Sequence, residues 1–137
     1  DCSSRGLGDV YKRQAQGQKM KLFAGSEGFR RDFIFVEDIV HMNLHFYRTK
    51  TSGIFNAGTG KARSFQDIAT TLQQLEPAGQ IEIIPFPDHL EGKYQEFTEA
   101  DTTLLRKAGY ERPMTSLEDG VRQYYDLWKR TGGYRRD

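Results

Sequence analysis

The sequence predicts an α/β protein, because short runs of β-branched and aromatic residues alternate with segments of helical periodicity. The connections between successive runs are long enough for the crossovers that parallel strands require. A length of 137 residues suits one domain with one modest core. We find no internal repeat or linker that would divide the chain.

The first half of the chain contains two strand patterns and one helix pattern. The runs KMKLFAG and DFIFVED are rich in strand-forming residues, and the second is apolar on both faces, which indicates burial on both sides. Glu37 or Asp38 can cap the helix that follows, DIVHMNLHFYR. Two apolar rows at helical spacing predict this helix: Ile39, Met42, Phe46 and Val40, Leu44, Tyr47.

The second half begins with GIFNAGTG, a predicted strand that runs into a glycine-rich turn. Ser64 opens the helix SFQDIATTLQQL with Asp67 three residues on, as in a capping box. IEIIPFP is a strand that its prolines end, and residues 88–98 are a loop without regular period. EADTTLLRKAGY predicts a helix ended by Gly109, and SLEDGVRQYYDLWKRTGG predicts one begun by Ser116 and ended by a glycine pair.

Composition excludes several classes of partner. The net charge of +1 provides no general field to attract nucleic acid or an anionic membrane, so we expect neither as a partner. No apolar stretch approaches the roughly 20 residues that span a bilayer. The single cysteine, Cys2, rules out an internal disulfide framework and a cysteine metal site, which fits a cytoplasmic protein.

Residues 1–14, DCSSRGLGDVYKRQ, have neither helical nor strand periodicity and predict a disordered leader. DVYKRQ back-translates to GATGTGTATAAGAGACAG, which resembles the mosaic-end adapter of transposon-based sequencing libraries. We therefore interpret 1–14 as a sequencing-derived or cloning-derived leader and assign residues 15–137 to the protein itself. The alternative, a basic nucleic-acid-binding arm, rests on only three basic residues.

Three motifs resemble functional sites but have simpler structural explanations. The run GTGK lacks the four residues that a phosphate loop places between its first glycine and its Gly-Lys pair. Asp38, His41 and His45 share a helix face without the further ligands of a metal site. Tyr125 and Lys129 have the spacing of a tyrosine base and its lysine, but on a terminal amphipathic helix Tyr125 and Trp128 are more simply core or groove residues.

The cluster Arg30, Arg31 and Asp32 is the best candidate polar site. A guanidinium binds a phosphate or carboxylate through paired donors, and an adjacent aspartate can hold one guanidinium in place. Because consecutive strand residues face opposite ways, only one of the two arginines can point into a cleft. The alternative is a surface ion pair at the end of a strand.

Several stretches together resemble the C-terminal part of the ADP-L-glycero-D-manno-heptose 6-epimerases, a family of extended short-chain dehydrogenase/reductases. They are KLFAGSEGFRRDFIFVEDIV, GIFNAGTGKARSFQDIA, IEIIPFPDHLEGKYQEFTEAD and LRKAGY. The R-D-F-x-x-V-x-D and F-N-x-G-T-G elements are shared by many nucleotide-sugar epimerases and dehydratases. PFPDHLEGKYQEFTEAD is more specific and favours the heptose family.

This resemblance implies a C-terminal substrate-binding part of an enzyme with a Rossmann-like fold, one that oxidises and re-reduces ADP-heptose at C6 with bound NADP. It implies that six residues bind the substrate: Phe23, Ala24, Gly25, Ser26, Arg31 and Tyr94. Ala24 stands where an acidic residue is expected in the family. The glycine-rich cofactor loop and the catalytic Tyr and Lys of the family lie upstream of the matched region. We therefore expect no catalytic, cofactor-binding or metal-binding residue in this chain.

The resemblance also implies a role in lipopolysaccharide core biosynthesis and a homo-oligomeric complete protein. Two alternatives stay open at this point. One is another NAD(P)-dependent nucleotide-sugar epimerase or dehydratase of the same superfamily. The other is a non-catalytic nucleotide-binding module.

Overall fold

The structure, a computed structural model, describes residues 19–87 and 95–131. The predictions for residues 1–14, for 88–94 and for the glycine pair after the last helix lie outside these ranges. The described chain contains both strands and helices, and two of its strands pair in parallel, so the predicted α/β class is confirmed. In chain order the elements are β1 (Met20–Phe23), β2 (Arg30–Arg31), α1 (Val36–Thr49), β3 (Arg63–Ser64), α2 (Phe65–Leu75), β4 (Ile81–Ile84), α3 (Thr103–Lys107) and α4 (Leu117–Thr131).

The described strands form two separate pairs. Strands β1 and β4 are parallel, with Met20 opposite Ile81 and Phe23 opposite Ile84. Strands β2 and β3 are antiparallel, with Arg31 opposite Arg63. The parallel pair is joined through helices, as a parallel connection requires.

Two clusters of buried side chains hold the elements together. The larger joins β1, α2 and α4 through residues that include Met20, Leu72 and Val121. The smaller joins α1 to the segment around α3 through Met42, Leu105 and Tyr110.

Helix α2 begins as its sequence predicts. The Ser64 hydroxyl accepts a hydrogen bond from the Asp67 N–H at 3.1 Å, and the Asp67 carboxylate accepts from the Ser64 N–H at 3.0 Å. This reciprocal capping box satisfies two N–H groups that the helix leaves without an internal partner. The predicted start of α4 is also confirmed, because the Ser116 hydroxyl accepts from the Asp119 N–H.

The strand predicted over DFIFVED is wrong in its bounds. The ladder ends at Arg31, and α1 begins at Val36. Residues between them still bury both faces, because Phe33 packs against the larger cluster and Ile34 against the smaller one. The alternation of apolar residues therefore predicted correctly that both faces contact the core. A strand also needs a paired neighbouring strand, which these residues lack within the described chain.

The strand predicted over GIFNAGTG is wrong, since residues 53–60 form no ladder with any described strand. Ile54 is 94% exposed, while the Phe55 ring stacks on Phe46 with centroids 4.4 Å apart. The β propensity of this run is real, but a strand is stable only against a neighbouring backbone.

The predicted cap of α1 is also wrong. Phe35 occupies the N-cap position without a side-chain cap, and Glu37 and Asp38 lie inside the first turn. Asp38 is 1% exposed, and its carboxylate instead accepts hydrogen bonds from the Thr115 N–H and hydroxyl at 2.8 and 3.1 Å. Asp38 thus ties α1 to the segment before α4.

Helix α3 is shorter than predicted, and Gly109 follows it with a φ of 85°, as expected of a glycine that ends a helix. Within the described ranges, none of the helices combines the length and the apolar character needed to cross a bilayer.

Adjacent leucines in α3 provide a matched test of the smaller cluster. Leu105 is 1% exposed and Leu104 is 60% exposed. We expect Leu105→Ala to lower the free energy of unfolding by about 2 to 5 kcal/mol, because it leaves a cavity between α1 and α3. Leu104→Ala should change it by about 0.5 kcal/mol or less. Urea denaturation of both variants measures the difference, and equal losses would contradict this packing.

Candidate substrate-binding site

Four of the residues predicted to bind substrate, Phe23 to Ser26, lie at the end of β1 and in the turn that follows. The Ala24 N–H donates to the Ile84 carbonyl at 2.8 Å, so the turn starts beside the end of β4. Gly25 adopts a φ of 80°, a conformation that other residues rarely adopt. The Ser26 hydroxyl is buried, with no hydrogen-bond partner among the residues that the structure describes.

Three aromatic rings pack beside this turn. The Phe86 ring lies 5.4 Å from that of Phe23 and 5.3 Å from that of Phe29, measured between centroids. All three side chains are half-buried. The end of β1, the start of β2 and the segment after β4 therefore share one apolar wall.

Strand β2 presents the two arginines differently. Arg30 is exposed, whereas Arg31 is half-buried and its Nη1 atom is shielded from solvent. Arg31 is thus less exposed than Arg30, as the alternation of side chains along a strand predicts, and its placement in a cleft stays a prediction. The sixth predicted residue, Tyr94, lies outside the described ranges. The described chain resumes at residue 95 and contacts β2, because the Arg30 N–H donates to the Glu96 carbonyl at 2.8 Å.

The Asp32 carboxylate accepts four hydrogen bonds directly after β2. Its Oδ1 accepts from the Thr59 N–H at 2.8 Å and from the Thr59 hydroxyl at 2.5 Å. Its Oδ2 accepts from the Gly60 N–H at 2.8 Å and from the Ala100 N–H at 3.0 Å. These four bonds join three chain segments, and none of them involves an arginine guanidinium.

The same contacts set the protonation state of Asp32. Burial would raise the pKa of this carboxyl, but the hydrogen bonds from Thr59, Ala100 and Gly60 outweigh burial and leave the pKa below its ordinary value of 3.8. Asp32 therefore stabilises the fold above the pKa it has in the unfolded chain. That stabilisation is lost as the pH falls through the lower pKa of the folded state.

The glycine turn does not form a phosphate loop. In such a loop the backbone N–H groups bind the phosphate oxygens. Here the N–H groups of Thr59 and Gly60 both donate to Asp32. A side-chain carboxylate thus occupies the position that a phosphate would take.

Tyr125 and Lys129 connect helices rather than form a catalytic pair. The Tyr125 hydroxyl donates to Glu76 Oε2 at 2.5 Å, and Lys129 Nζ lies 3.1 Å from the same oxygen. Burial and the bond to Glu76 raise the pKa of Tyr125 despite the nearby lysine. A tyrosine acting as a base needs a lowered pKa, so the pair fits a contact between α2 and α4.

The helix face with Asp38, His41 and His45 does not assemble as a metal site. The Asp38 carboxylate is engaged by Thr115, and His45 Nε2 lies 3.4 Å from the Ala108 carbonyl oxygen. Within residues 19–87 and 95–131, no three His, Cys, Asp or Glu side chains converge in a way that could hold a metal ion.

A cavity of about 220 Å³ lies elsewhere, between the segment before α1 and the start of α4. Its walls include Phe33, Val36, Leu117 and Tyr124 and are mostly apolar. None of the five predicted site residues that the structure describes lines it, so it does not identify the substrate site.

Sequence reasoning missed the link from Asp32 to the glycine turn. A Cβ added to Gly58 would lie 2.7 Å from Asp32 Oδ2 and 2.4 Å from the Ala100 Cβ. Only glycine fits at this close approach. The glycines on either side of Thr59 could have indicated this link, because glycine often stands where another group approaches the backbone closely.

The sequence of the chain is similar to those of known proteins. No family model matches the chain. Over 126 residues it is 47% identical to the ADP-L-glycero-D-manno-heptose-6-epimerase of Brachyspira hyodysenteriae, which covers 91% of this chain and 40% of that protein. The chain thus spans about two fifths of the length of the curated relative it matches.

Solved structures share the fold at lower identity. One is TunA, an NAD-dependent NDP-hexosamine 5,6-dehydratase of tunicamycin biosynthesis, with a TM-score of 0.77 and 23% identity. The match covers 97% of this chain and 41% of the TunA chain. The ADP-L-glycero-D-manno-heptose-6-epimerase of Helicobacter pylori has a TM-score of 0.72 at 23% identity, covering 88% and 36%. The UDP-glucose 4-epimerase of Thermotoga maritima has a TM-score of 0.74 at 23% identity, covering 92% and 40%.

The chain therefore has the fold of part of an extended short-chain dehydrogenase/reductase of the nucleotide-sugar epimerase type. Within that class, the predicted resemblance to part of an ADP-L-glycero-D-manno-heptose 6-epimerase is confirmed by the match at 47% identity over 91% of this chain.

Proposed function

We propose that residues 15–137 are the substrate-binding part of an ADP-L-glycero-D-manno-heptose 6-epimerase. The complete enzyme would act in the cytoplasm, as a homo-oligomer, in lipopolysaccharide core biosynthesis. The observation that carries this proposal is the 47% identity over 91% of the chain. The solved relatives at lower identity support only the fold.

The candidate site offers the groups that a nucleoside diphosphate requires. The half-buried Arg31 follows the turn of Phe23 to Ser26 along the chain. A guanidinium can donate paired hydrogen bonds to paired phosphate oxygens, and partial burial strengthens such bonds. In this proposal Arg31 binds the diphosphate, the turn of Phe23 to Ser26 lines the substrate, and Tyr94 also contacts the substrate.

The reaction also needs a nicotinamide cofactor, NADP in this proposal, to take up a hydride at C6 of the sugar and return it. The glycine turn of this chain does not fit the phosphates of that cofactor, because Asp32 already occupies the N–H groups of Thr59 and Gly60. The cofactor and the catalytic groups would then be held outside residues 15–137.

Exposed apolar side chains support packing against a further part of the protein. One face of α1 exposes Val36, Val40, Leu44 and Tyr47, by 62, 50, 39 and 81%. These positions recur at helical spacing and form a stripe, and exposed Ile54 follows the helix. A contiguous exposed apolar surface is typical of an interface. The relative is longer than this chain, which covers 40% of it. In this proposal the stripe packs against the part of the complete enzyme that the chain does not cover.

The substrate distinguishes this proposal from a related activity. The continuous reading frame that contains Ala15–Asp137 in genomic DNA should encode a protein that interconverts the two C6 epimers of ADP-heptose. Turnover is measured by chromatographic separation of the two sugar nucleotides. Activity on UDP- or dTDP-sugars instead would contradict the heptose assignment, and no epimerase activity on any of them would contradict the enzyme class.

The two arginines of β2 provide a matched pair for substrate binding. In the protein encoded by the complete reading frame, Arg31→Ala should weaken ADP binding by an amount typical of a lost charged hydrogen bond, about 1.5 to 3 kcal/mol. Arg30→Ala should leave the dissociation constant nearly unchanged, because that side chain is exposed. Isothermal titration calorimetry measures both. Equal effects would contradict the assignment of Arg31 to the diphosphate.

A further inference from the structure

Strand β2 lies between two other segments of backbone. On one side it pairs with β3, and Arg31 lies opposite Arg63. On the other side the Arg30 N–H donates to the Glu96 carbonyl, and the Thr98 N–H donates to the Arg30 carbonyl at 3.0 Å. The position of Arg31 therefore depends on segments more than 30 residues away along the chain.

Side-chain contacts hold the same two segments to each other. The Ala62 N–H donates to Glu99 Oε2 at 2.9 Å, and the Asn56 amide donates to the Asp101 carbonyl at 3.1 Å. These contacts bring residues 56–62 alongside 99–101. They do not by themselves attach that pair of segments to the end of β2.

Asp32 makes that attachment. It directly follows Arg31, and its carboxylate binds the turn at Thr59 and Gly60 together with the Ala100 N–H. Each carboxylate oxygen accepts two of the four hydrogen bonds. An asparagine in place of Asp32 would replace one of these acceptors with an NH2 group, which is itself a donor. The tight fit of Gly58 against Asp32 leaves the carboxylate little room to move.

We infer that Asp32 is a positioning residue for substrate binding, which fixes the backbone on both sides of β2 and thereby orients the Arg31 guanidinium toward the substrate diphosphate. The inference rests on the proposed function for the identity of the ligand. Asp32 does not contact the ligand in this account. Its effect on affinity passes through Arg31.

A double-mutant cycle tests this dependence with ADP as the ligand and the protein encoded by the complete reading frame that contains Ala15–Asp137. Asp32→Asn should weaken ADP binding by about tenfold to a hundredfold, the range expected when a binding group is misplaced by about 1 Å. In the Arg31→Ala background, Asp32→Asn should cause little further loss, because the group that it positions is already absent. Equal losses in both backgrounds would overturn the inference.

Asp38→Asn is the matched control, since this buried carboxylate also accepts from a backbone N–H and a hydroxyl but ties α1 to Thr115. It should lower stability without changing ADP affinity. Loss of ADP affinity in Asp38→Asn equal to that in Asp32→Asn would show a general effect of destabilisation and overturn the inference.

Hydrogen exchange separates failure of this inference from failure of the proposed function. In Asp32→Asn, the amides of Arg30 and Thr98 should exchange faster than in the unaltered chain, because the segments beside β2 are released. If the unaltered protein of the complete reading frame binds no ADP, the proposed function is contradicted. Whether or not it binds ADP, unchanged exchange at the Arg30 and Thr98 amides in Asp32→Asn overturns the positioning role.

Discussion

The candidate site depends on one half-buried interaction, the carboxylate of Asp32 bound by two backbone N–H groups of a glycine turn, a threonine hydroxyl and the Ala100 N–H. Left unpaired in a half-buried position, these polar groups would cost free energy, and together they satisfy one another. The partners lie 27, 28 and 68 residues from Asp32 along the chain. One side chain therefore brings distant segments to the strand that carries the arginines.

Around this centre the fold supplies a fully buried carboxylate, Asp38, and a capped helix. Asp38 ties the first turn of α1 to Thr115, and the Ser64 capping box starts α2 directly after β3. These contacts fix the first turns of the helices that follow β2 and β3. Strand β2 has only two residues, and the hydrogen bonds of Arg30 with Glu96 and Thr98 add to its short ladder in holding the arginines in place.

Local signals were enough to predict part of this arrangement from sequence. Ser64 and Asp67 are three residues apart and form the capping box that their spacing predicts. The strand predicted over GIFNAGTG failed because pairing depends on a distant neighbour, which a short window does not contain. The lower exposure of Arg31 than of Arg30 followed from strand alternation, whereas the partners of Asp32 are nonlocal and were indicated only by Gly58.

The central claim is that an internal carboxylate fills the glycine turn and leaves the β1 to β2 region to bind the nucleotide. Amide NMR spectra of the chain during titration with ADP test it most directly. We expect the largest shift changes at residues 23–26 and at Arg31, with Thr59 and Gly60 little affected because their N–H groups remain bonded to Asp32. The largest changes at residues 58–61 would contradict the account, because they would place the phosphates in the glycine turn.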